Sequence, residues 1–186
     1  MEAFSDGVMA IIITIMVLEL RPPDGADLAA LRPLVPVFIS YGLSFLYIGI
    51  YWNNHHHLLQ AVQRVNGWVL WANLNLLFWL SLLPFATAWV GSTNFATIPV
   101  AIYSTVLLLA AVAYYILTRA LIAANGDDSA LAIAVGRDVK GKISIGLYVL
   151  AIPVAFISSW LAYALIALVS VIWLVPDQRI ERALAS

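Results

Sequence analysis

Two carboxylates and the apolar run between them are the first residues in this chain that could act on an ion. Asp6 and Glu19 bracket residues 7–18, 12 residues without a charge. As helix the run is about 18 Å long, short of a hydrocarbon core of about 30 Å. A spanning helix built on it therefore carries both acids at or inside the membrane boundary. A carboxylate there is costly in lipid and belongs against protein or water. The helix is accordingly expected to be central in its assembly, closely packed or lining a pore. A re-entrant or tilted segment with its acids at the headgroups is the plainer alternative. Ile11, Ile15 and Leu18 share one helical face, and Thr14 borders that stripe. Such periodicity alone fits a helix buried all round equally well. The acids at both ends favour the pore: they would concentrate cations at its mouths, Glu19 at the outer one. A narrow Ile/Leu neck between them would gate by dewetting.

The other polar residues offer less. His55, His56 and His57 invite a metal, but neighbours on a helix point about 100° apart. A helical site normally uses i and i+4. Hydrogen-bonded packing is the expected role, with one histidine near Asp6, and no metal is expected. Trp52 and His56 are an i, i+4 pair. Asn73 and Asn75 fall within a span, where interhelical hydrogen bonding is the expected role. Hydrolase, protease and nucleotide-binding motifs are missing from the sequence, so no enzyme and no cofactor are expected. No carboxylate stands deep inside a span, which disfavours a proton-coupled transporter. A small secondary transporter or a non-conducting structural membrane subunit remains the competing class.

The elements that position these residues follow from composition. Of 186 residues, 63% are hydrophobic and 10% charged, against about 45–50% and about 25% in soluble domains. With a mean hydropathy of +0.96, this is an all-α, polytopic membrane protein in pattern. Net charge is −1, which gives nucleic acid nothing to bind. The absence of cysteine excludes disulfides and thiolate chemistry. Residues 1–6 hold two acids and no Lys or Arg, unlike a secretory signal, so the first apolar run is expected to stay. Charged residues and the turn cluster Gly91-Ser92-Thr93-Asn94 divide the chain into six spans, at about 4–20, 34–57, 66–90, 95–119, 140–158 and 160–176. The last two are expected to form a tight hairpin broken at Ser158-Ser159. Pro84 and Pro153 are expected to kink or end their helices. Ala151, Ala155 and Ser159 form a series suited to close helix approach.

Loop charge gives orientation. With a cytoplasmic N-terminus, Arg64, Arg119, Arg137, Lys140, Lys142, Arg179 and Arg182 fall inside, and only Arg21 and Arg32 outside. Both termini are then cytoplasmic.

The first helix, with Phe4-Ser5-Asp6, Ala10-Ile11, Thr14 and Leu18-Glu19, resembles that of the bacterial members of the transmembrane protein 175 family of potassium channels. Tyr51-Trp52-Asn53-Asn54-His55-His56-His57-Leu58 is similar to the end of the family's second helix. Asn73-Leu74 and Ser81-Leu82-Leu83-Pro84-Phe85 are similar to its third, and residues 172–181 to its C-terminal ending. The resemblance implies a homotetramer in a bacterial cell membrane, one six-helix repeat per chain over 1–186, and no re-entrant filter loop. It implies passive permeation of potassium ions along the first helices of four subunits. Ile11, Ile15 and Leu18 would form the constriction and Thr14 would contribute to selectivity. Phe4, Ser5 and Asp6 would tie the first helix to its neighbours, with Trp52 and His56 in the same network. Family members usually carry an Arg shortly before this motif. None stands between Met1 and Phe4 here.

Overall fold

The computed structural model describes residues 1–136 and 138–174. Among them every regular element is helical. They are α1 (Glu2–Leu18), a 3-10 helix (Leu28–Leu34), α2 (Val35–Gln60), α3 (Gly67–Ser81), α4 (Leu83–Ser92), α5 (Thr97–Asn125), α6 (Ala130–Val135), α7 (Val139–Ala155) and α8 (Ser159–Leu174). Three stretches are long and apolar enough to cross a membrane: Leu28–Gln60, Gly67–Ser92 and Thr97–Asn125. Ser159–Leu174 is a shorter apolar helix. Arg137, Arg179 and Arg182, residues 175–176 of the last expected span, and the C-terminus whose side was inferred from charge all lie outside the described residues.

The expected third span is two helices, and Pro84 explains the break. Proline lacks the N–H that would close the turn back to Leu80. Leu82 instead donates to the Trp79 carbonyl at 3.3 Å, and α4 starts with the proline in its first turn, where it is tolerated. The expected second span grows at its C-terminal end to Gln60. The fourth starts at Thr97 and runs on past Arg119 to Asn125. The break between the last two helices falls at residues 156–158, where Ile157 and Ser158 both donate back to the Val154 carbonyl, at 2.9 and 2.8 Å.

The turn before α5 is fixed by an aromatic anchor. Asn94 and Phe95 adopt positive φ, 51° and 60°, an uncommon conformation for side-chain-bearing residues. Phe95 accepts it because its ring is buried, 4.3 Å from Trp160 and 4.7 Å from Tyr163 between ring centroids. The start of α5 is thereby held to the start of α8.

Helix pairs α3/α5, α5/α7, α7/α8 and α2/α4 make the broadest contacts, and α1 lies across α2, α3 and α4. Buried polar groups fix the register. Ser44 on α2 meets the hydroxyls of Thr87 on α4 (2.6 Å) and Tyr103 on α5 (2.8 Å). Tyr47 donates to the Ile166 carbonyl of α8 at 2.6 Å. Gly91 lets α4 approach α2: a Cβ there would stand 2.6 Å from Ser40 Oγ and 2.9 Å from Val37 Cα. Ala151 and Ala155 are buried on α7, while Ser159 of α8 is half-buried. Gly91→Ala should therefore lower stability by about 1–3 kcal/mol through overpacking. Gly49→Ala, with open space around its position, should not. Thermal unfolding of both variants in detergent checks the contrast.

Candidate functional site

Helix α1 has 17 residues, about 25 Å of helix. Its faces divide sharply. Ser5, Met9, Ile12 and Met16 recur at 4, 3 and 4 residues and are buried against the chain's own core. Phe4, Gly7, Ile11, Thr14, Ile15 and Leu18 recur at the same kind of spacing on the opposite side, and all are exposed. The two stripes lie about 140° apart at 100° per residue. Ile11 is 58% exposed and Leu18 79%, while Ile12, one residue from Ile11, is 3%. Nothing in Ile11 or Ile12 themselves makes this choice; the helix's rotation about its axis does.

That rotation is set by a chain of hydrogen bonds at the Glu2 end. His55 Nε2 on α2 donates to Asn73 Oδ1 on α3 at 2.7 Å. Asn73 Nδ2 donates to Ser5 Oγ on α1 at 2.9 Å. Ser5 donates to the Met1 carbonyl at 3.2 Å. His55, Asn73 and Ser5 are all buried. The directions agree only with the proton on His55 Nε2, because Asn73 spends its carbonyl on the histidine and its NH2 on the serine. A second, more exposed layer flanks the first. Trp52 Nε1 donates to Asp6 Oδ1 at 3.0 Å, a charge-assisted bond. His56 Nδ1 stands 2.8 Å from the Glu2 carboxylate. The Trp52 and His56 rings stack with centroids 5.8 Å apart, one helical turn from each other. Gln60 meets His56 Nε2 at 2.8 Å.

Ser5, Asp6, Trp52 and His56 thus come together at one end of α1. Phe4 does not join them; it is 59% exposed and belongs to the same open stripe as Ile11. The three histidines part company, as adjacent helical residues must. His55 is buried against Asn73, and His56 faces Glu2. Among the described residues no group of three His, Asp or Glu converges on a metal position. Asn73 and Asn75 also separate: Asn73 is 2% exposed, while Asn75 faces outward. Glu19 caps the far end of α1 and is exposed, bordering an open groove with Arg21, Val37, Phe38, Phe85 and Trp89.

Thr14 has a definite electronic orientation. Its hydroxyl donates to the Ile11 carbonyl at 2.9 Å. With its proton committed to the helix, the oxygen offers its remaining lone-pair capacity to the open side. Sequence reasoning did not identify Glu2 as the partner of His56, nor Thr87, which bonds Ser44 and stands 4.0 Å from Met16 Sδ on α1. The sequence signals were slight: an acid one turn before Asp6, and a threonine three residues after a proline.

Replacing Asn73 removes a donor and an acceptor from two buried partners at once. Asn73→Leu should cost about 1–3 kcal/mol, read as a lower melting temperature in detergent. Asn75→Leu should leave it close to that of the parent chain.

Comparison with known proteins adds to this geometry. The family profile described as "Endosomal/lysosomal potassium channel TMEM175" matches residues 1–84. A protein of Chryseobacterium sp. (strain P1-3), named Potassium channel HX13_20290, is 54% identical over 184 residues, covering 99% of this chain and 96% of its own length. Potassium channel B446_29190 of Streptomyces collinus is 32% identical over 174 residues, with 88% of this chain and 84% of its own covered. The fold matches the crystal structure of a lysosomal potassium-selective channel TMEM175 homolog from Chamaesiphon minutus. The TM-score is 0.83, the identity 27%, and 95% of each chain is covered.

Proposed function

The chain belongs to the TMEM175 family, and from that premise we propose that it is a potassium-selective channel. The proposed unit is a homotetramer in a bacterial cell membrane. Each chain contributes a single six-span domain made of α1, α2, α3 with α4, α5, α7 and α8, with both termini cytoplasmic. Four copies of α1 surround the axis. Ile11, Ile15 and Leu18 form an apolar neck, Thr14 sets an oxygen ring beside it, and Glu19 attracts cations at the outer mouth. Potassium ions are the permeant species, and no cofactor takes part.

The observation that carries this reading is the division of α1. A helix that buries only Ser5, Met9, Ile12 and Met16 in its own subunit leaves the Ile11–Leu18 stripe for something else. Glu19, exposed at the far end, makes lipid a costly occupant there, and a water-filled axis accommodates it. The exposed arc is wide enough to meet a neighbouring α1 as well as the pore. Thr14 supports the selectivity role, because an oxygen whose proton is already donated can only accept from, or coordinate, what passes. An Ile/Leu constriction supports a gate, since a narrow apolar neck sheds water unless an ion brings its own.

The test is the reversal potential of purified protein in a planar bilayer under opposed potassium and sodium gradients. It should lie close to the potassium equilibrium value. Ile11→Ser should raise conductance and move the reversal potential toward zero, because a polar neck wets more readily and discriminates less. A reversal potential at the sodium value, or an Ile11→Ser channel indistinguishable from the parent, would contradict the assignment.

A further inference from the structure

Five of the chain's eight tyrosines line one cavity, on the side of α2 away from α1. They are Tyr47, Tyr51, Tyr114, Tyr115 and Tyr148, from α2, α5 and α7, and Asp138 joins them. No residue of α1 reaches it, so it is separate from the proposed pore. Asn54, which borders the cavity, is followed in the chain by His55, turned about 100° from it toward α3. The cavity therefore lies at the same end of the bundle as the Ser5–Asn73–His55 chain.

Its walls are fixed. Tyr51 and Tyr114 meet edge to face, centroids 6.0 Å apart and planes at 69°, so that their rings make a corner. Tyr47 and Tyr148 lie 6.4 Å apart. Tyr114 donates to the Asn54 carbonyl at 3.3 Å, and Tyr47 to that of Ile166. Asp138 is held by its own geometry. It adopts the left-handed conformation, φ 42° and ψ 53°, and accepts from the Gly141 N–H at 3.1 Å as the cap of α7. Gly141 makes room for it, since a Cβ there would stand 2.5 Å from the carboxylate. Trp173 also lines the cavity, its Nε1 donating to Ser144 at 2.8 Å and its ring 6.0 Å from Lys140 Nζ.

We propose that this cavity binds a small organic ammonium group. Aromatic faces attract cations through the ring quadrupole, and a carboxylate beside them selects positive charge over neutral ligands. An alkylated ammonium gives up its water more cheaply than a potassium ion does, which suits a pocket built of rings rather than carbonyls. An anion would meet Asp138. The cavity volume is about 40 Å³, where a single water requires about 10–15 Å³. That is room for a small head and not for a drug-sized molecule. The ammonium is either free in solution or the headgroup of a lipid, and the chemistry of recognition is the same.

The test is calorimetric titration of the full chain in phosphatidylglycerol nanodiscs with tetramethylammonium, choline and the neutral carbon isostere of choline. Choline should bind at one per chain, and the isostere much more weakly. Asp138→Asn should weaken choline about tenfold, because asparagine keeps both the left-handed backbone and the cap while removing the charge. Tyr51→Leu should weaken it similarly, and Tyr51→Phe, which keeps the ring, should not. If free choline fails but a short-chain phosphatidylcholine binds with the same sensitivity to Asp138→Asn, the ligand is a lipid headgroup and the site stands. Equal binding of the isostere would overturn the proposal. So would ammonium binding indifferent to both Asp138→Asn and Tyr51→Leu, or no binding by any of these probes.

Discussion

Inside a helical bundle a polar side chain has few partners, and Asn73 uses both ends of its amide on buried ones. Its carbonyl accepts from the His55 N–H and its NH2 donates to Ser5. Water cannot replace either bond cheaply in such surroundings. The consequence is rotational. Ser5 is fixed inward, and every other residue of α1 follows at 100° per step. Met9, Ile12 and Met16 are carried into the core, and Ile11, Thr14, Ile15 and Leu18 are carried out of it. The proposed pore lining is thus decided by an amide on a neighbouring helix.

The far end of α1 depends on a second set of polar contacts. Ser44, Thr87 and Tyr103 join α2, α4 and α5, and Thr87 lies beside Met16. This arrangement needs α4 close to α2, which Gly91 permits. Helix α4 is a distinct element because Pro84 breaks the chain after α3. Between these ends α1 is held by apolar packing. A rigid cradle around a short helix is what the proposed constriction requires, because small changes in the separation of its side chains would alter a dewetting barrier steeply.

Much of this was legible from residue types alone. Composition fixed the all-helical membrane class, because 63% apolar residues leave no other home for the chain. Pro84 and the polar turn at 91–94 marked two breaks, since both effects are local. The stripe of Ile11, Ile15 and Leu18 was visible as a periodicity, yet its direction was not. A helix of Ile, Met and Leu offers several equivalent stripes, and long-range bonds from neighbouring helices, Asn73 to Ser5 and Trp52 to Asp6, choose among them. The same limit explains the asparagines and histidines. Asn73 and Asn75 differ only by position, and His55, His56 and His57 only by a rotation, so burial separated what chemistry could not. Phe4 illustrates the converse: its place beside Ser5 and Asp6 in the motif suggested a shared role, whereas helical geometry turns it to the opposite face.

The proposed pore requires that the Ile11 face of α1, and not the Ile12 face, meets the conduction pathway. The chain has no cysteine, so single cysteines can be placed without background. The decisive measurement is block of bilayer current by a thiol-reactive methanethiosulfonate cation at Ile11→Cys and Ile12→Cys. Rapid block at position 11, with position 12 unreactive, is the predicted result. Block at position 12 with position 11 untouched would place the open stripe away from the pore and contradict the assignment.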